Sequence, residues 1–266
     1  MQLTDIELVR TKYQDIFAIY HNDDMVGNSL RRYGEYQQVE IDVLLQLIND
    51  RTVVYDIGSN VGYHATAFAS CAKTVYCFEA NPRHFDILRT NIGGRPNCLL
   101  FNMAVSSAEG EILVEDFDSS QLGNYGSVRV GATSGTRVIK RSLDTLNIQP
   151  PDLMKIDVEG HELDVIRGAY HMIKQHRPII YFEAQETTDL PEIYLTLSGL
   201  NYNLGWCVVR NYNPENFRNN PENVFGDTAI FSIIAFPAES GHTWPLLVQG
   251  PDDSWQKLLE RSKISL

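Results

Sequence analysis

Asp56-Ile57-Gly58-Ser59-Asn60-Val61-Gly62 joins a β-branched run to an alanine-rich segment. Glycines at such a strand-to-helix turn let the backbone approach a ligand, and the following helix offers unpaired N–H donors. Asn60 tolerates the unusual backbone geometry of such a turn better than most non-glycine residues. A dinucleotide site carries G-x-G-x-x-G here and seats a pyrophosphate on the helix. This chain has G-x-N-x-G with a carboxylate two residues earlier. Asp56 would oppose a pyrophosphate and favour an ammonium, the group presented by the methionine end of S-adenosylmethionine. Gly58, Ser59, Asn60 and Gly62 then form the cradle, and Tyr63 leans on the methionine chain. The competing reading is an ordinary strand-to-helix turn.

Three further clusters follow in order. Glu79 ends the next strand-like run about 20 residues on, where an acid is expected on the ribose hydroxyls; Ala80 follows it in the same turn. Asn102, Met103 and Ala104 form the lip expected beside an adenine. Met103 is soft enough to lie on a purine face, and equally suited to filling the core. Lys155-Ile156-Asp157-Val158-Glu159-Gly160-His161-Glu162 crowds ionisable groups at the end of one strand and the start of a helix. Asp157, Glu159 and His161 are candidate general bases there, and Asp157 also lies where it can touch the cofactor. Carboxylates plus His161 could also hold Mg²⁺ or Ca²⁺, although no residue is assigned to a metal. The bland alternative is helix capping by Glu159. Glu183 ends a later strand and points toward the same crevice, as a further candidate base or substrate-orienting acid; a plain surface acid at a strand end is the alternative.

Positioning these residues requires strand–helix alternation, and the pattern supplies it. Strands are predicted at 52–57, 74–78, 98–105, 152–158 and 178–183, with a last pair at 202–210 and 228–235. Helices are predicted at 62–72, from Pro82 to Gly93-Gly94, at 162–176 and at 191–199. The implied fold is a doubly wound α/β sheet with helices on both faces. Residues 1–50 read as an N-terminal helical cap, with one helix carrying Ile6, Val9, Ile16, Phe17 and Tyr20 and a second at 36–49. Residues 51–237 are the expected catalytic domain, with a β insert at 110–141 and a lid loop at 211–227. Residues 238–266 form a tail ending in a helix at about 254–263.

The 266 residues are 43% hydrophobic, enough for a real core. Lys plus Arg number 22 against 34 Asp plus Glu, a net charge of -12. That balance, without a basic run, argues against a nucleic-acid substrate. Cys71, Cys77, Cys98 and Cys207 include no Cys-x-x-Cys pair, so disulfides and a zinc site are not expected. No signal peptide or bilayer-length apolar run is visible, giving a soluble, cytoplasmic expectation without membrane contact. An oligomer is possible.

The chain from about Tyr36 to Pro237 resembles the FkbM-type methyltransferases. The landmarks are 56–63, Phe78-Glu79-Ala80-Asn81-Pro82, Leu143-Asp144, Lys155–Glu162, Gly168-Ala169 and 178–183. Asn213–Phe217 and Asn223–Asp227 also look family-like. Ser59 stands where the family more often has Ala, and Ala80 where it more often has Pro. The resemblance implies a class I methyltransferase, Rossmann-like: a seven-stranded, mostly parallel sheet whose last strand is antiparallel. It also implies S-adenosylmethionine as donor and usually an oxygen acceptor. The acceptor expected is a small molecule, glycan or peptide, and O-methylation is favoured over N-methylation. The rivals are a nicotinamide-dependent oxidoreductase on a similar sheet and a scaffold that keeps the fold without turnover.

Overall fold

The β-branched run before Gly58 folds as a strand buried along its whole length, as the centre of a parallel sheet requires. The computed structural model describes residues 5–185 and 188–262. In chain order, a hairpin of β1 (Ile6–Val9) and β2 (Phe17–Tyr20) leads into α1 (Val26–Tyr33) and α2 (Gln38–Leu45). Alternation then runs through β3 (Val53–Ile57), α3 (Tyr63–Phe68), β4 (Thr74–Glu79), α4 (Pro82–Ile92) and β5 (Cys98–Asn102). Next come β6 (Ala104–Val105), β7 (Gly110–Val114), β8 (Thr136–Arg141) and β9 (Leu153–Ile156). The chain continues with α5 (Glu162–Gly168), α6 (Tyr170–His176), β10 (Ile179–Glu183), α7 (Leu190–Gly199), β11 (Tyr202–Arg210), β12 (Ala229–Pro237) and α8 (Trp255–Ser262).

The central sheet has seven strands in the order β11-β12-β10-β9-β3-β4-β5. β12 runs antiparallel to both neighbours, and β10, β9, β3, β4 and β5 pair in parallel. Side-chain alternation splits the core into two layers. Val53, Tyr55 and Ile57 face one layer, which takes in residues of α5, α6 and α7. Val54, Val75, Cys77 and Leu153 face the other, against α2, α3 and α4. By the same period of two, Asp56 and Lys155 project into the second layer. Among the described residues no helix is long and apolar enough to cross a membrane.

Three predicted elements differ. The first cap helix is instead the β1/β2 hairpin, its register pairing Ile6 with Tyr20 and Val9 with Phe17. The apolar spacing that suggested a helix comes from two strands, and all four residues of β2 are buried. The strand predicted at 98–105 breaks at Met103. Asn102 Nδ2 turns back to donate to Glu79 O at 2.9 Å, and Ala104–Val105 leaves to pair with β8 in a separate three-stranded sheet with β7. The helix predicted at 162–176 breaks after Gly168. A Cβ on Gly168 would sit 2.0 Å from Ser106 O, so the backbones touch there. Asp144 then accepts from His171 N and Met172 N at 2.9 and 2.8 Å, satisfying donors of a fresh first turn. The tail helix lies at Trp255–Ser262, with Lys263 outside the described residues.

The loop at 211–227 is fastened rather than free. Glu35 accepts from Asn213 Nδ2 at 2.7 Å and Phe217 N at 2.9 Å, and Tyr33 Oη bonds Glu222 O and Val224 N. Cap and loop are thereby tied together.

Candidate active site

The turn after β3 is held from two sides. Gly58 N and Ser59 N donate to Phe78 O at 2.9 and 3.0 Å. Asn60 N donates to Glu79 Oε2 at 2.7 Å, and Asn81 N donates to Glu79 Oε1 at 2.8 Å. Glu79 thus stitches the turns that follow β3 and β4. Burial raises its pKa to about 7. Gly58 has φ +85°, and a Cβ there would lie 1.8 Å from Asp157 O. No other residue type fits that approach. Asn60 also has positive φ, as its side chain permits.

Two adjoining cavities open at the carboxyl ends of β3, β4, β9 and β10, and share Gly58, Asn60, Asp157 and Glu159. The first, of about 300 Å³, is lined by Ser59, Tyr63, Lys155 and Glu183 among others. The second is lined by Glu79, Ala80, Ala104 and His161, with Val128 and Val130 of the insert across from them. Buried His84 also lines this second cavity, and its Nε2 has no hydrogen-bond partner.

Most of the predicted residues therefore gather, with five exceptions. Gly62 lines neither cavity; its φ of +91° starts α3, and a Cβ there would meet Leu88 of α4. Asp56 is wholly buried and lines neither cavity; it is the direct cross-strand partner of Lys155, whose Nζ lies 3.6 Å from Asp56 Oδ1. Alternation along β3 turns Asp56 under the floor, so the structure does not set it for direct contact with a ligand. Met103 lines neither cavity and packs in the main core. Asn102 also lines neither; its amide braces the Glu79–Ala80 backbone. His161 faces the second cavity only, with Nε2 3.2 Å from Ser106 Oγ. It is not among the acids of the first, and burial lowers its pKa.

Those acids form a tight group. One carboxylate oxygen each from Asp157, Glu159 and Glu183 lie within 4.8 Å of one another, a set that could hold a metal ion. Without one, mutual repulsion sorts their protons. Burial would raise Asp157, but Lys155 Nζ, 3.1 Å from Asp157 Oδ2, wins and holds its pKa below the ordinary value. Burial and then the Asp157 charge raise Glu159 to about 7 and Glu183 to about 9. Glu159 is also strained, with φ +54° followed by Gly160 at +94°. Backbone outliers of this kind concentrate at functional sites.

The pattern of the sequence did not assign three polar neighbours. Lys155 stands on the same face as Asp157, two residues away, which the spacing alone could have shown. His64 lines the first cavity, and its Nε2 lies 3.2 Å from Glu40 Oε1 of α2. Glu40 is buried, and a charge on the inward face of an amphipathic helix was its available signal. Gln185 lines the cavity and donates to Glu183 Oε2 at 2.9 Å.

Residues 56–204 match the methyltransferase FkbM domain model, more than half of the chain. A 2-O-methyltransferase, NoeI, from Sinorhizobium fredii is 30% identical over 178 residues, spanning 59% of this chain and 73% of that protein. The chain belongs to the FkbM methyltransferase family. The hexuronic acid methyltransferase AglP from Haloferax volcanii is 33% identical over 138 residues, which are 50% of this chain. The match spans little more than half of AglP, 56% of its length. Among solved structures, a precorrin-6y C5,15-methyltransferase from Geobacter metallireducens superposes with a TM-score of 0.50 at 16% identity, covering 75% of this chain and 88% of that one. That likeness concerns the class I methyltransferase fold.

Several FkbM landmarks prove to be architectural here. Asp144 caps α6, and Gly168 admits the Ser106 backbone. The landmarks at 56–63, 78–82 and 155–162 surround the two cavities instead.

Proposed function

We propose that this FkbM-family protein transfers the methyl group of S-adenosylmethionine to a hydroxyl of a saccharide or similar small acceptor. The observation that carries the reading is the pair of joined cavities at the strand ends, one nucleoside-like in its lining and one rich in carboxylates. The residues suit this cofactor: Gly58 borders both cavities and lets the turn after β3 close onto the Asp157 backbone, buried His84 beside the second cavity has an Nε2 without a hydrogen-bond partner, and the surplus of acids in the first suits a cation. The names of the relatives, a 2-O-methyltransferase and a hexuronic acid methyltransferase, favour a sugar-like acceptor. The net charge of -12 disfavours nucleic acid. A cytoplasmic site of action suits four unpaired cysteines.

Bound S-adenosylmethionine would supply an electrophilic methyl on a sulfonium. Glu79 would accept hydrogen bonds from the ribose hydroxyls with the lone pairs its two N–H contacts leave free. Asp157, ionised beside Lys155, replaces Asp56 as the partner of the methionine ammonium. Tyr63 would pack on the methionine chain. Glu183 and Gln185 would orient the acceptor hydroxyl, and Glu159, poised near neutrality, would take its proton. Holding the reacting atoms in line supplies roughly 7–11 kcal/mol of the barrier.

Calorimetry with S-adenosylhomocysteine and with NAD tests the cofactor. S-adenosylhomocysteine is expected to bind and NAD to fail; NAD binding alone would end the reading. Release of S-adenosylhomocysteine across a panel of neutral and uronic glycosides tests the acceptor. A narrower prediction concerns Glu79→Ala. It should weaken S-adenosylhomocysteine roughly 10-fold or more, since hydrogen bonds to a charged group are worth about 1.5–3 kcal/mol. Unchanged affinity would remove Glu79 from the ribose.

A further inference from the structure

The insert does more than wall the nucleoside cavity. Val128 and Val130 line the second cavity, while Ser127, Arg129 and, from its other side, Val130 line a third, of about 640 Å³. Thr133 and Ser134 add hydroxyls to the third cavity. It meets the first cavity at Glu159 and Gln185, so a continuous groove runs from the acid cluster to the insert.

The groove is electrically polarised. One end holds Asp157, Glu159 and Glu183 within 4.8 Å of one another. The other end holds exposed Arg129, which among the described residues donates no side-chain hydrogen bond and forms no ion pair. Its field still reaches Glu159. Glu115 also borders the third cavity, without forming an ion pair with Arg129. A ligand lying along this groove is therefore sorted by charge. An anionic group is repelled from the acid end and attracted to the guanidinium, whose fork matches a carboxylate in two hydrogen bonds.

We propose that the third cavity is an acceptor subsite in which Arg129 binds the carboxylate of an acidic saccharide, while a hydroxyl of a neighbouring ring reaches the acid cluster. This rests on the saccharide reading above. The volume lies in the range that encloses ligands of a few rings. The subsite would set which hydroxyl is presented, because the carboxylate anchors one end of the acceptor.

The test uses the full chain saturated with S-adenosylhomocysteine and two probes, trigalacturonate and neutral maltotriose, with binding read by calorimetry and saturation-transfer NMR. The wild type is expected to prefer trigalacturonate, with the preference shrinking as salt is added. Arg129→Gln should weaken trigalacturonate roughly 10-fold to 100-fold. It should leave maltotriose and S-adenosylhomocysteine unchanged, because the Arg129 side chain is exposed and, among the described residues, makes no hydrogen bond or ion pair, its bond to the fold being the one from Glu115 N to its backbone O. An undiminished preference in Arg129→Gln, or none in the wild type, overturns the subsite. Maltotriose binding without that preference leaves the saccharide reading standing. Failure of both sugars, with S-adenosylhomocysteine still bound, removes the subsite and the saccharide reading while sparing the cofactor assignment.

Discussion

Lys155→Met is expected to lower folding stability by about 3–5 kcal/mol, the cost of stranding buried charge. Lys155 is buried, and its ammonium lies 3.6 Å from Asp56 and 3.1 Å from Asp157. Asp56 is wholly buried and the Asp157 side chain is 28% exposed, so removing the cation leaves one buried and one half-buried acid without it. Neither Asp56 oxygen has a hydrogen bond to fall back on. The pH dependence carries the sign. In the wild type Lys155 holds the Asp157 pKa below its ordinary value, so this pair stabilises above the unfolded pKa and fades as pH falls. In the variant both acids lie above their ordinary value, so their penalty is absent in acid and grows as pH rises. The gap between variant and wild type should thus be widest at neutral and alkaline pH and narrow toward acid. Urea unfolding at several pH values measures it. A gap that stays constant with pH would mean that the loss is one of packing and that the ion pair is idle.

This pair also marks the limit of what the sequence carried. Asp56, Gly58, Gly62 and Glu79 stood out because residue type and distance along the chain were enough. That Asp56 lies under the floor depends on which strands are neighbours, since β9 sits beside β3 although about 100 residues separate Asp56 from Lys155. The same holds for Glu183, brought to Asp157 by the β9–β10 pairing. Local pattern misled where two periods overlap. Phe17 to Tyr20 is short and wholly apolar, and such a run does not separate strand from helix. The break in the helix after Gly168 needed contact with Ser106 and Asp144, again from distant parts of the chain. Arg129 was invisible because its meaning lies in the groove it ends, and Met103 proved ordinary core.

Glu159→Gln should reduce kcat by about 10²–10⁴-fold, the range for losing a general base, with S-adenosylhomocysteine affinity little changed. Three acids share the cavity, and their environments assign them different work. Asp157 is ionised but engaged by Lys155, which makes it a weak proton acceptor. Glu183, raised to about 9, would carry a proton at neutral pH and, in the proposed reaction, act as a donor. Glu159, raised to about 7, is the acid whose ionisation matches the working pH. Wild-type kcat should therefore climb with pH through about 7 as Glu159 loses its proton, and this limb should vanish in Glu159→Gln. Stability should move the opposite way. Glu159 and Glu183 titrate at about 7 and 9 in the fold against 4.5 ordinarily. The free protein therefore holds more protons than the unfolded chain across that window and loses stability as pH rises. Glu159→Gln should flatten the decline while abolishing most turnover, a combination that simple unfolding cannot produce. A variant that keeps the limb near pH 7 would pass the proton to Asp157 or Glu183, and the acid sharing among the three would have to be redrawn.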